Sequence, residues 1–478
     1  MSKYEANLVV IGAGSAGLVS SYIAAAVKAK VILIERHKMG GDCLNTGCVP
    51  SKAILRSAKM ANYMRRADEF GFESVEVKPI FKKVMRRVHN VIAEIEPHDS
   101  VERYTELGVE CMQGEAEILD PHHVKVGDKT ISTKSIIIAA GARPFVPPIP
   151  GLDSINYLTS DTVWNLEDLP KRLVVLGGGP IGCELSQAFA KLGSEVTLVE
   201  MMGQVMGRED SDVAEYVAET LKNDGINVLT NHKATEFIDG DEKTLVCESE
   251  SGEVKIAFDE VIVAVGRRPN SDGLALEKLG IKTRRNGTIE TDDYLRTEVP
   301  NIFACGDIAG PYQFTHTASH QAWFATVNAL FGFAKKFKVD YRVIPWATFT
   351  MPEVARVGLN ESEAKEKDID FEVTRYGIDD LDRAIADGEA KGFIKVITPR
   401  GKDKILGVTI VGHHASDLIA EYVLAMKYNI GLNKILGTIH LYPSLAEANK
   451  YVAGNWKREH QPHTLLKWVE RFHRWRRG

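Results

Sequence analysis

The segment Gly40-Gly41-Asp42-Cys43-Leu44-Asn45-Thr46-Gly47-Cys48-Val49-Pro50-Ser51-Lys52 carries the most pointed chemistry in the chain. Two thiols with four residues between them, on a glycine-containing loop, are able to close a small disulfide ring and reopen it. Pro50 marks the start of a helix, which sets Cys48 near a positive N-terminus that favours a thiolate. The other cysteines, at 111, 183, 247 and 305, are scattered and do not resemble a secreted disulfide framework. In a reducing compartment a lone close pair is more often redox-active or metal-binding than structural. A zinc site would need a second cysteine pair or a histidine beside it, and the segment offers neither, so no metal ligands are expected.

Two further motifs bind rather than react. The apolar run Asn7–Ile11 leads into Gly12-Ala13-Gly14-Ser15-Ala16-Gly17, an Ala-rich helix and a second strand, Val31–Ile34, that ends in Glu35. The same sentence recurs 165 residues later: Leu173–Leu176, then Gly177-Gly178-Gly179-Pro180-Ile181-Gly182, a helix, and Val196–Val199 ending in Glu200. In each copy the acid stands 18 residues after the last glycine. One GxGxxG is weak evidence, but strand, turn, helix and distant acid together are the context that dinucleotide binding requires. The first glycine makes the turn, the second admits the pyrophosphate, and the third permits close helix–strand packing. The phosphates then lie at the helix N-terminus, and Glu35 and Glu200 accept from ribose hydroxyls. Glu200 is followed by Met201-Met202-Gly203 with no basic residue before Arg208, which favours NADH over NADPH. Two strands also echo one another, Ile136–Ala140 before Gly141 and Val261–Val265 before Gly266, and these glycines are counted with the cofactor sites.

The elements that must hold these groups fit a large soluble chain. Of 478 residues, 44% are hydrophobic and 26% charged, which excludes disorder, a collagen-like rod and a disulfide-stapled miniprotein. A formal net charge of −6 argues against nucleic-acid binding. The charge-free stretch Leu8–Val27 is long enough to span a bilayer, but its three glycines identify it as the first nucleotide turn. With no signal-peptide pattern ahead of it, the chain reads as cytoplasmic. The fold class expected is α/β: two dinucleotide-binding, Rossmann-like domains plus a C-terminal α+β dimerisation domain. The spans are 1–155 and 276–345 for the first domain, 156–275 for the second and 346–478 for the third.

The cysteine segment and the two glycine turns closely resemble the pyridine nucleotide-disulfide oxidoreductases, which include dihydrolipoamide dehydrogenase, glutathione reductase and mercuric reductase. The resemblance extends to Ala304-Cys305-Gly306-Asp307, Phe349–Gly358 and Tyr442–Glu447. It implies FAD at the first turn and NAD(P)H at the second. It also implies that Cys48 is the flavin-proximal sulfur, forming a thiolate charge-transfer contact, and Cys43 the exposed sulfur that exchanges with substrate. Lys52 matches the lysine near flavin N5, Glu184 its partner, and Asp307 the aspartate on the ribityl chain. The helix from Thr315 would aim its N-terminus at the flavin's N1 and O2 edge. The resemblance further implies a homodimer, each active site completed in trans by Tyr442, His440 and Glu447, with a small-molecule or protein-bound disulfide as acceptor.

The chain also departs from that pattern. Disulfide-reducing members carry His-Pro where this chain has Tyr442-Pro443, while Glu447 is kept. A phenol with a reference pKa of about 10 is poorly matched to proton transfer at neutral pH. His440, two residues upstream, would return to the same side of an extended segment; the plainer reading is a structural histidine. The chain ends Trp475-Arg476-Arg477-Gly478 without a C-terminal cysteine pair and carries no fused metal-binding domain, which disfavours mercuric reductase. Pro180 replaces an aromatic lid and points toward the lipoamide dehydrogenase branch. The expected reaction is therefore hydride transfer from NADH through FAD to the Cys43–Cys48 disulfide and on to a lipoamide-type or other disulfide. The alternative is a flavin-direct reductase of a quinone, a metal ion or another nicotinamide. Residues 455–478 hold seven Lys or Arg against two Glu, with Leu465, Trp468, Val469, Phe472 and Trp475 on one helical face. Such a helix docks on its own dimer, binds a partner, or lies on a membrane.

Overall fold

Runs of apolar residues without alternation specify strands buried on both faces, and Ala6–Ile11, Val31–Glu35 and the end of Lys129–Ile138 form such strands. A computed structural model describes residues 3–73 and 75–478. They fall into two compact units, residues up to 206 with 221–340, and residues 207–220 with 341–478.

In the first unit, Ala6–Ile11 lies between Val31–Glu35 and Lys129–Ile138, parallel to both, with Leu8 beside Val31 and Ile11 beside Ile138. Val109–Gln113 adds outside Val31–Glu35, and Ile302–Ala304 pairs with the end of Lys129–Ile138. Two antiparallel strands, Ala116–Asp120 and His123–Val126, complete the seven-stranded sheet. A second, five-stranded sheet repeats the plan with Arg172–Leu176 between Glu195–Val199 and Glu260–Val263, again parallel. The stretch Leu8–Val27 resolves into a strand, the glycine turn and the helix Ser15–Ala26. Among the described residues no helix is long and apolar enough to cross a membrane. The echo segments that follow Gly141 and Gly266 meet: Ala142–Pro144 pairs antiparallel with Arg267–Pro269.

The C-terminal unit is an antiparallel sheet of five strands, in the order 345–348, 353–358, 407–412, 393–399 and 371–377. Its core includes Ile394, Val396, Ile410, Tyr422, Val452 and Trp456, with the helices Ala415–Lys427 and Glu447–Glu459 contributing the last three. Residues 207–220, counted from sequence with the second nucleotide-binding segment, group with this unit. Buried charge explains the attachment. Lys395 Nζ is held by Asp210 at 2.7 Å, Asp212 at 2.8 Å and Glu361 at 3.0 Å, and Arg356 by Glu209 at 3.3 Å and Glu363 at 2.9 Å. The three carboxylates around Lys395 stand close enough together to ligate a cation, and the lysine ammonium is the cation they hold.

Candidate active site

The two glycine turns are built alike. Gly12 and Gly177 both have left-handed φ, 102° and 108°, and a Cβ on either would run into the carbonyl of Ala139 or Ala264. A Cβ on Gly17 would strike the Gly12 carbonyl oxygen, and one on Gly182 the Gly177 oxygen, so the third glycine in each copy lets helix and turn touch. Gly14 and Gly179 cap the helices Ser15–Ala26 and Pro180–Leu192. Each distant acid fastens its turn. Glu35 accepts from Ala13 N at 2.7 Å and His37 N at 2.8 Å; Glu200 accepts from Gly178 N at 2.6 Å and Met202 N at 2.7 Å.

Of the two turns, the cysteine loop rests on the first. A Cβ on Gly41 would lie 2.6 Å from Gly14 Cα, so the two backbones are in direct contact. Asn45 ties the loop internally through Met39 O and Gly41 O, both at 2.9 Å, and Trp164 Nε1 donates to Thr46 O at 2.8 Å. Cys43 lies in the short helix Gly41–Asn45, and Cys48 opens the helix Cys48–Arg65, two residues ahead of where Pro50 suggested. Both cysteines are free thiols, Cys43 half-buried and Cys48 exposed. Exposure therefore does not mark Cys43 as the outer sulfur; the charge on the sulfurs separates them.

Cys48 is pushed down to about 6, first by the hydrogen bond from Cys43, then by Thr315 and the charge of Lys52, against the opposing effect of burial. Cys43 is pushed up by that same hydrogen bond, by burial, and by the negative charges of Cys48 and Asp99. Of the pair, Cys48 is the sulfur that ionises first, while Cys43 holds its proton. Thr315 Oγ1 lies 3.3 Å from Cys48 Sγ, in the first turn of the helix Thr315–Phe331. Lys52 Nζ donates to Glu184 at 2.9 Å; Glu184 is buried on Pro180–Leu192, so the first turn's lysine is held by the second turn's helix. Asp307 is half-buried, and its partial removal from water raises its pKa against the charge of Arg267.

Arg267 was not anticipated from the sequence. It bonds Asp42 in the cysteine loop, donates to Ala142 O at 2.8 Å, and stands 3.5 Å from Asp307. The signal was available: Arg267 fills, in the second echo segment, the position of Ala142 in the first. Asp99 was missed as well, and no motif pointed to it. It lines a pocket of about 420 Å³ with Tyr22, His98, Arg103 and Tyr104.

The C-terminal candidates do not form one cluster. Tyr442 is exposed and donates to Asp382 at 3.0 Å, and that bond raises its pKa. His440 has Nε2 3.0 Å from Glu421 and Nδ1 3.2 Å from the Thr438 carbonyl, so both ring nitrogens are engaged within the fold. Glu447 accepts from Ser444 N at 3.3 Å and Tyr451 OH at 3.2 Å, and orients neither Tyr442 nor His440.

Two matches cover most of the chain: the domain described as pyridine nucleotide-disulphide oxidoreductase over residues 6–322, and the dimerisation domain of the same name over 344–453. The chain belongs to the pyridine nucleotide-disulphide oxidoreductase family. Among its relatives are a dihydrolipoyl dehydrogenase from Geobacillus stearothermophilus and a mercuric reductase from Staphylococcus aureus. The first is 37% identical over 93% of this chain and 94% of its own length. The second is 33% identical over 94% of this chain and 82% of its own. The solved structure of HOCl-induced flavoprotein disulfide reductase RclA from Escherichia coli superposes with a TM-score of 0.84 at 26% identity, covering 94% of this chain and 99% of that one. A Cu(II) complex of RclA superposes equally well. The chain is thus an oxidoreductase of the flavoprotein disulfide reductase type, with FAD and a pyridine nucleotide as the family's cofactors. Its residues suit them: two open helix caps behind glycine turns, a half-buried Asp307, and Thr317 Oγ1 buried without a hydrogen-bond partner near the start of Thr315–Phe331.

Proposed function

We propose that the protein uses NADH to reduce a disulfide acceptor, a lipoyl group or a similar small or protein-bound disulfide, through the Cys43–Cys48 pair. The observation that carries this reading is the placing of Cys48 at a helix N-terminus beside Thr315, where Cys43, Thr315 and Lys52 favour its ionisation. Bound FAD would supply the two-electron acceptor between nicotinamide and cysteines. Glu35 and Glu200 would receive the riboses, Gly12, Gly14 and Gly17 the pyrophosphate of the first cofactor, and Gly177, Gly179 and Gly182 that of the second. Gly141 and Gly266 lie just past the ends of the strands beside them, Lys129–Ile138 and Glu260–Val263. Arg208 belongs to the C-terminal unit, where its carbonyl accepts from Asn360, and this supports the preference for NADH.

In the reducing half, Cys43 attacks one sulfur of the acceptor and releases the first thiol with its own proton. The Cys48 thiolate then closes the ring, restores the Cys43–Cys48 disulfide and expels the second thiolate. That second leaving group takes its proton from outside the pair. A homodimer presenting Tyr442 of a second copy offers a phenol for this, and Asp382 makes it a weaker acid still. Tyr442→His is expected to raise disulfide turnover on the order of 10²-fold at neutral pH. An unchanged rate would remove Tyr442 from the proton path. We place the protein in the cytoplasm, where a free cysteine pair is kept reducible.

A second reading is favoured by His440, whose nitrogens are both occupied. Reduction of a metal ion bound by the two sulfurs, or of a quinone or second nicotinamide at the flavin, needs no such histidine. Mercuric reductase relatives and the Cu(II) complex of RclA lend this reading weight. Anaerobic titration with NADH separates the two. A long-wavelength thiolate–flavin band before flavin bleaching, with a second equivalent consumed, supports the cysteine path. Bleaching with the first equivalent and no band would overturn it.

A further inference from the structure

We propose that the C-terminal helix His463–Arg476 is a membrane-surface anchor that lays its apolar face into an anionic lipid bilayer. The helix begins after a break at Gln461 and Pro462, and none of its residues is buried. Its apolar face is fully displayed: Leu465 is 57% exposed, Trp468 63%, Phe472 50% and Trp475 75%. Charged residues flank that face. The Arg471 guanidinium sits 5.5 Å from the Trp468 ring and that of Arg476 5.9 Å from Phe472, while Lys467 and Arg474 lie on the opposite side. Arginines beside aromatic rings, Trp468 and Phe472, match the boundary between acyl chains and anionic headgroups. Fourteen residues make a rod of about 21 Å, too short to span a bilayer but well suited to lie in its surface.

Charge complementarity selects the lipid. The chain as a whole carries −6 and is repelled by an anionic surface, whereas residues 455–478 concentrate seven cations against two anions. The rival occupant is a second copy of the chain, but the family's dimerisation domain ends at residue 453, before this helix begins. The inference does not depend on the acceptor.

The test uses the full-length flavoprotein in flotation with phosphatidylcholine vesicles, with and without phosphatidylglycerol. Binding is expected only when phosphatidylglycerol is present, and is expected to weaken as salt is raised. The variant Lys467→Gln/Arg471→Gln/Arg474→Gln should weaken it on the order of a hundredfold, at about 1 kcal/mol per basic residue. The variant Trp468→Ser/Phe472→Ser/Trp475→Ser should abolish flotation while NADH oxidation by both variants stays at the parent rate. Absence of flotation by the parent protein would overturn the proposal, as would undiminished flotation of the serine variant. So would conversion of a dimer to monomers by that variant in sedimentation without lipid, which would assign the face to a second copy.

Discussion

The two glycine turns share their geometry but not their neighbours. Glu35 and Glu200 fasten them with nearly equal bonds, and the third glycine in each touches the first. Yet only the first turn has a redox loop lying on it, through Gly14 and Gly41, whereas a Cβ on Gly179 would meet nothing within 4 Å. Lys52 from the first region is then held by Glu184 from the second. The lesson is that a nucleotide-binding turn is a generic part. What it does is decided by what the chain packs against it, and two ion pairs, Lys52 with Glu184 and Arg267 with Asp42, join the two roles.

The comparison predicts asymmetric damage, beginning with the cysteine loop. Cys48→Ser should abolish disulfide reduction and the long-wavelength band while leaving NADH able to bleach the flavin; loss of both reactions would show that the loop is needed by the second site too. In the parent enzyme that band should titrate with a midpoint of about 6, because the thiolate is its source. The sign follows from a pKa lowered from 9.0: the band is present above the midpoint and lost as pH falls through it.

The turns themselves come next. Gly17→Ala should strip the protein of flavin, seen as loss of its yellow colour, because the new methyl meets the Gly12 carbonyl. Gly182→Ala should leave the flavin in place and lower kcat/KM for NADH by roughly 10- to 100-fold, as overpacking typically does. Equal flavin loss in both would dissolve the assignment of the two sites.

A smaller effect should separate the acids. Glu200→Gln should cost roughly tenfold in NADH affinity, the lower end for a charge-assisted bond. Glu35→Gln should affect flavin retention alone. Smallest of all, Lys52→Met should move the midpoint of the thiolate band upward without eliminating it, since Cys43 and Thr315 hold the sulfur as well. An unmoved midpoint would leave Lys52 with a role at the flavin only.

The sequence alone determined everything encoded by short spacing. Gly12 to Gly17 and Gly177 to Gly182, the acids 18 residues on, and Cys43 with Cys48 are local patterns, because a turn at a helix start depends on a few adjacent dihedrals. Family and fold class followed from the same patterns. Tertiary structure decided which partner each charge takes, since groups brought together by packing leave no trace in spacing. Arg267 reaches Asp42 across 225 residues, and Lys52 reaches Glu184 across 132, a pairing that the family resemblance implied but no spacing in the chain carries. His440 shows the limit most directly. On an extended segment its spacing from Tyr442 put it on the same side, but burial against Glu421 turned its ring inward. A buried imidazole is stabilised by filling both nitrogens from whatever polar groups the fold supplies, and only the folded chain decides which groups those are.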